Sequence, residues 1–248
     1  MTASALCVQD EILSALARVT DPELDEPITE LGFVRTITLA DDGVTVHLRL
    51  PTAFCSPNFA YLMASDALDA LRAVQGIGQV QVLLDDHHDS DKINVGLAAD
   101  AGYLGTFGQE AQESLTELRN TFLRKAHAAA MERCIAAHLE RTGMDVEEIH
   151  TLTLGDLLPG KDRDALLRRR TAIGLSSCPN SRVLVDDEGQ PVPSESAPIR
   201  LRFARSVRIS MEGNAHFCRG LLATRYADSD LVGTSPRITD VRTDRSDR

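Results

Sequence analysis

Cys55 follows a stretch of alternating residues and precedes Ser56-Pro57, a pair suited to the N-cap and first position of a helix. A sulfur there lies beside unpaired backbone N–H groups and the positive end of a helix, and both favour thiolate over thiol. A thiolate is what a metal, a cluster or an electrophile requires. The competing reading is a small buried hydrophobe that happens to precede a helix. A second candidate is the run Asp85-Asp86-His87-His88-Asp89-Ser90-Asp91. Imidazoles and carboxylates suit iron, zinc or manganese, and adjacent histidines in a turn can diverge toward two ligand positions. Such an acidic run is equally what a solvated loop looks like. A third is Asn214-Ala215-His216-Phe217-Cys218-Arg219. With Asn214 as a cap, His216 and Cys218 fall in the first turn of a last helix, again favouring thiolate. Being about 200° apart on a helix, they are poorly placed to share one metal. Cys218, the softer donor, is the one expected to face Cys55, unless it merely packs beside Leu221 and Leu222. Arg219 or Arg225 could lend charge to a bound anion or cluster. Cys178, before Pro179, is exposed enough to ligate or to be incidental. Cys134 reads as a half-buried structural thiol, and Cys7 as incidental.

The elements that must hold these residues can be traced by period. Ile12, Leu13, Leu16 and Val19 make one helical stripe, which Asp21-Pro22 stops. Residues 33–39 and 44–50 alternate around Asp41-Asp42-Gly43, predicting a hairpin with Gly43 at positive φ. Val44, Val46, Leu48 and Leu50 form its inner face, leaving His47 on the other. A helical stripe from Phe59 to Val74, ended by Gly76, leads to a third strand over 77–84; the short run 93–97 reads as a fourth. The order is α-β-β-α-β(β), an α+β two-layer domain over residues 1–100. Residues 101–234 form a helical and β extension. It begins with the glycine-punctuated stretch Gly102, Gly105 and Gly108 and a long helix from Glu110 to Thr142. A helix over 162–173, a hairpin over 182–189, an alternating strand over 199–211 bearing Arg200, Arg202 and Arg208, and the helix from Asn214 complete it. Residues 235–248 read as a polar, frayed tail.

Composition narrows the chemistry. Of 248 residues, 26 are Lys or Arg and 37 Asp or Glu, a net charge of -11. Residues 1–160 carry -15 of it and residues 161–248 carry +4. So acidic a surface repels phosphate backbones, and without tryptophan a base-stacking platform is hard to build, so nucleic acid is not an expected partner. No apolar run is long enough for a membrane helix and the first residues lack a leader pattern; a soluble cytoplasmic protein is expected. Five cysteines, odd in number and without a CxxC pair, do not make a disulfide framework or a zinc ribbon.

The string Asp21-Pro22-Glu23-Leu24-Asp25-Glu26-Pro27-Ile28-Thr29-Glu30-Leu31-Gly32-Phe33-Val34, followed by Thr52, Cys55, Pro57 and Gly76-Ile77-Gly78-Gln79-Val80, resembles a known family over residues 8–97. It looks like the metal–sulfur cluster assembly domain shared by phenylacetate-degradation D-type proteins, SUF-associated assembly factors and eukaryotic cytosolic iron–sulfur targeting proteins. The matching positions are Asp21, Glu23 and Cys55. Two features depart from the pattern. Ser56 separates the cysteine from the proline, and the acidic histidine run stands where many members have a proline-tryptophan segment.

The resemblance implies an assembly or delivery factor without turnover. Iron, an iron–sulfur cluster or another metal would be held in passing by Cys55 and handed to a client metalloprotein, with other assembly factors as partners. One thiol is too few for a cluster, which normally takes four thiolates. Either a homodimer pools ligands, or Cys218 and Cys178 join, or the metal is held only in passing. The size of the extension suggests one dedicated client, such as a multicomponent di-iron monooxygenase. The rival classes are an enzyme with Cys55 as nucleophile and a metal-free scaffold. The first wants a base within reach of the sulfur, and no Cys/His/Asn or phosphate-loop signature is present.

Overall fold

The computed structural model describes residues 3–111, 115–227 and 235–243, with the side chains of residues 3–7, Cys7 among them, and of residue 110 outside that description. In chain order the elements are α1 (Ala3–Leu16), β1 (Thr20–Asp21), β2 (Glu26–Pro27), β3 (Val34–Ala40), β4 (Gly43–Leu48), α2 (Pro57–Arg72), β5 (Gln79–Leu84), α3 (Ser90–Ala98), α4 (Gly102–Phe107), α5 (Leu115–Thr142), α6 (Lys161–Ala172), α7 (Ala197–Arg225) and β6 (Arg237–Asp240). The chain divides into two units, Met1–Leu115 with Asn214–Arg248, and Thr116–Gly213. The first unit therefore runs past residue 100 and takes back the chain from the middle of α7 onward.

In the first unit β3 and β4 form the predicted antiparallel hairpin, Val34 opposite Leu48 and Ala40 opposite Gly43. β5 joins β4 in parallel after the α2 crossover, and β6 joins β3 in parallel, giving the sheet order β5-β4-β3-β6. Alternation along β4 sends Val44, Val46 and Leu48 inward and leaves Thr45 and His47 half-buried on the far face. The inward row packs with Ile12 and Leu16 of α1, Met63 and Leu71 of α2, and Phe33, which is fully buried. This is a two-layer α+β domain.

Gly43 serves a purpose other than the expected one. Its φ is not positive; a Cβ there would stand 2.0 Å from the Gln79 carbonyl oxygen on β5. Gly78 answers it across the gap, where a Cβ would lie 2.3 Å from the Asp42 carbonyl oxygen. Two glycines thus let the hairpin turn and the start of β5 touch backbone to backbone, sealed by Gln79 N–H donating to Asp42 O at 2.8 Å.

Three elements differ from expectation. Residues 93–97 belong to α3, because a short apolar run fits a buried helix as well as a strand. Residues 199–211 lie in α7, not a strand. Without a strand to pair with, the alternating run takes the helix, leaving Ile199, Phe203 and Ile209 exposed. The expected frayed tail contributes β6, and Thr243 hydrogen-bonds Asp41 beyond it; residues 244–248 lie outside the described residues, as do residues 112–114 of the long helix expected from Glu110.

The second unit has its own core. Met131, Cys134 and Ile135 of α5 pack with Leu152, Leu154, Leu166 and residues 183–185. The expected hairpin over 182–189 reduces to a turn closed by Asp186 N–H donating to the Gln190 carbonyl and one bridge between Val185 and Pro191. Cys134 is buried rather than half-buried, and burial pushes its thiol up to about 11.

Candidate functional site

The residues between β4 and α2 carry the Cys55 thiol. Leu50 is buried and anchors one side of this loop, whereas Phe54 at its crest is 82% exposed. Ser56 occupies the N-cap of α2, but its side chain makes no capping bond; its carbonyl instead accepts the Phe59 and Ala60 N–H groups. Pro57 opens the helix as expected. The Cys55 sulfur is half-buried and lies 3.6 Å from Thr52 Oγ1. That hydroxyl accepts the Phe54 N–H at 3.1 Å, which leaves its own proton free to point at the sulfur. Thr52 is therefore placed to donate to the Cys55 sulfur.

The run Asp85–Asp91 packs directly on this loop, so two regions read separately in the sequence form one neighbourhood. His88 N–H donates to the Ala53 carbonyl at 2.9 Å, and its exposed ring lies 6.0 Å from that of Phe54. His87 is 7% exposed. Its Nδ1 accepts the Asp89 N–H at 3.1 Å, so the ring proton sits on Nε2 and donates to the Cys55 carbonyl at 2.8 Å. Both ring nitrogens are thus engaged, and His87 clamps the thiol loop from behind where a metal ligand was expected. Asp85 is committed as well, accepting His47 Nδ1 at 2.9 Å and Arg35 at 3.0 Å.

Replacing His87 with leucine is expected to leave the Cys55 carbonyl and the Asp89 N–H unpaired and to cost roughly 2 kcal/mol in urea unfolding. Iron uptake per folded chain should be unchanged. Loss of uptake with the fold intact would restore the ring as a ligand.

The Asp-Pro-Glu turn is built around Asp21. Asp21 is 7% exposed, and its Oδ1 accepts the N–H groups of Glu23 and Leu24 at 2.8 and 2.9 Å. Burial lifts its pKa to about 6 against those two bonds, which pull it down. The turn in turn grips the second half of α7. Asn214 donates to Glu23 at 3.2 Å and Arg219 pairs with Glu26. Cys218 lies between those contacts in the helix. It is half-buried, and burial together with the nearby charges of Asp21, Cys55 and Glu23 pushes its thiol up to about 11. Asn214 does not cap this helix, because α7 begins at Ala197, so Cys218 loses the expected first-turn stabilisation of its thiolate. His216 is exposed on the outer face of α7, while Ala215, Cys218 and Leu222 face the core. Cys178 is exposed in the second unit.

A cluster that sequence reasoning missed closes the rim. Tyr226 sits beneath Arg49, Arg225 and Arg35, with guanidinium-to-ring distances of 5.0, 5.4 and 5.8 Å, and its hydroxyl donates to Asp86 at 3.1 Å. Arg225 donates to the carbonyls of Leu50 and Asp86. Arg219 and Arg225, expected to serve a bound anion, are thus spent on holding α7 to the turn and to the thiol loop. Their partners lie 139 or more residues away along the chain, beyond the reach of any local pattern.

Among the described residues no three His, Cys, Asp or Glu side chains converge as a closed metal cage. The arrangement is an open one: one half-exposed thiol supported by a hydroxyl, a second thiol beside it, and acidic groups on the flank. No helix among the described residues is long and apolar enough to cross a membrane.

Residues 9–84 match the family described as "Iron-sulfur cluster assembly protein". Over 90 residues, 36% of this chain, the sequence is 28% identical to an uncharacterized protein of Methanocaldococcus jannaschii, covering 93% of that protein. Over a stretch of the same length it is 35% identical to the iron–sulfur cluster carrier protein of Mycobacterium leprae, covering 23% of it. No solved structure matches.

Proposed function

We propose that this chain, whose residues 9–84 belong to the iron–sulfur cluster assembly family, takes up iron or an iron–sulfur cluster as cargo at Cys55 and passes it to a client metalloprotein. The observation that carries this reading is the half-exposed Cys55 sulfur beside a Thr52 hydroxyl whose proton is free to donate to it. A hydroxyl so placed can donate to a cargo-bound sulfur, and a residue that is only half-buried stays within reach of a partner that takes the cargo away. Cys218 is the second thiol of the same site. Its raised pKa means that cargo binding there must displace a proton. Two thiols fall short of the four that a cluster normally takes, so a second copy of the chain or the client supplies the remainder. Asp21 and Glu23 shape the turn that holds α7, and so Cys218, in place. The second unit offers recognition surface, and a multicomponent di-iron monooxygenase is the client to assay first. A cytoplasmic setting belongs to the same reading.

A nucleophilic enzyme is less well supported. The nearest imidazole in the clamp, His87, faces the Cys55 carbonyl rather than its sulfur. Anaerobic reconstitution with ferrous iron and sulfide tests the proposal. The full chain should develop visible absorption with bound iron. Cys55→Ala should lose at least tenfold of it, and Cys218→Ala should retain iron but release it faster to a chelator. Equal loading of wild type and Cys55→Ala, or full metallation of the client in cells lacking this chain, would sink it.

A further inference from the structure

The second unit carries a cavity of about 250 Å³ between the last turns of α5 and the start of α6. Its walls combine apolar surface from Cys134 and Leu157 with Arg141, Lys161, Asp162 and Arg163. α6 is a helix of twelve residues whose N-cap, Gly160, has no side chain with which to cap, so its first N–H groups carry no side-chain cap, and its first residues line the cavity. Two further donors are left over at the same place. The Nε of Arg163 is buried without an acceptor among the described residues. His138, 8% exposed and lining the cavity, accepts a hydrogen bond from Arg141 on Nδ1 at 3.1 Å. Its proton is therefore on Nε2, for which no acceptor stands among the described residues.

A buried donor without an acceptor is costly, and Arg163 Nε is one, set beside a second donor, His138 Nε2, that also has no acceptor among the described residues. Here all the leftover groups are donors, and fixed cations outnumber the single carboxylate, Asp162, by three to one. A complement must bring acceptors and negative charge. The end of a helix is a ready anion site, and the apolar wall admits a short hydrocarbon body. We propose that this cavity binds a small ligand with an oxyanion head, phosphate or carboxylate, seated on the α6 N–H groups, Arg163 and His138. The site does not depend on the cargo reading above.

Calorimetric titration of the full chain with inorganic phosphate and, separately, with acetate tests it, at ionic strength held constant with chloride. Saturable binding of at least one is expected, and whichever binds more tightly identifies the head group. Arg163→Gln should weaken that binding at least tenfold. Lys161→Gln, at an exposed position where the fold is safe, should weaken it several-fold. No saturable heat with either anion would overturn the proposal, as would equal affinity in wild type and both variants.

Discussion

Exchanging Gly43 for alanine is expected to cost about 3 kcal/mol of stability, the upper range for forcing extra atoms into a packed site. The new Cβ would fall 2.0 Å from a backbone oxygen and 2.7 Å from the carbon and nitrogen of Gln79, none of which can rotate away. To relieve the clash β5 must leave β4, breaking the Gln79 N–H bond to Asp42 at the start of the parallel ladder. Gly76 is the control. It has φ +76 but open space around it, so alanine there meets only backbone strain, about 1 kcal/mol. Urea unfolding followed by far-UV circular dichroism separates the two through the midpoint at unchanged slope. Equal losses at both glycines would mean that the close approach between strands does not govern stability.

Acidification is expected to act on the two units in opposite senses. His127, in the second unit, is 2% exposed, and burial, followed by the charges of Arg170 and Arg200, lowers its pKa from 6.5 to about 4. Between those values the unfolded chain binds a proton that the folded unit refuses. Stability is therefore fully present above pH 6.5 and falls as pH drops, by about 3 kcal/mol at pH 4. Asp21, in the first unit, runs the other way. Its pKa is raised from 3.8 to about 6, so the folded unit holds a proton that the unfolded chain has lost. Its contribution is complete below pH 3.8 and disappears as pH rises through 6, again by about 3 kcal/mol. Hydrogen exchange measured between pH 7 and 4 should show protection falling in α5 and rising around the Asp21 turn, after correction for intrinsic rates. His127→Leu should abolish the first trend and Asp21→Asn the second. Persistence of the α5 trend in His127→Leu would assign the acid lability to another group.

Much of this was legible in the chain. The first helix, the hairpin and the βαβ unit were set out by period, because their inner rows are regular and their boundaries are marked by Pro22, Pro57 and Gly76. Cys55 could be singled out from its place before Ser56-Pro57, whereas Thr52, Asp21 and Glu23 were singled out through the family resemblance; the contacts they make are with near neighbours. What failed depended on distant ones. His87 carries the residue type of a ligand, but its job is decided by the carbonyl of a residue 32 positions earlier. Asn214 looked like a cap because Glu212-Gly213 reads as a turn, yet α7 runs through both residues without a break. The alternation over 199–211 was real, but an isolated strand has nothing to bond with, whereas a helix satisfies its own backbone. The run gave way to that requirement.

One consequence follows from β6. Because residues 237–240 lie along β3, the outer margin of the sheet is made from the chain's last stretch rather than from the hairpin itself. A fragment cut before Arg237 would bare the β3 rim along Thr36–Leu39, leaving the backbone groups that now face β6 ready to recruit a neighbour. Such a fragment should self-associate and cloud on concentration, so the short C-terminal strand works as a selvedge that keeps the fabric from catching on itself.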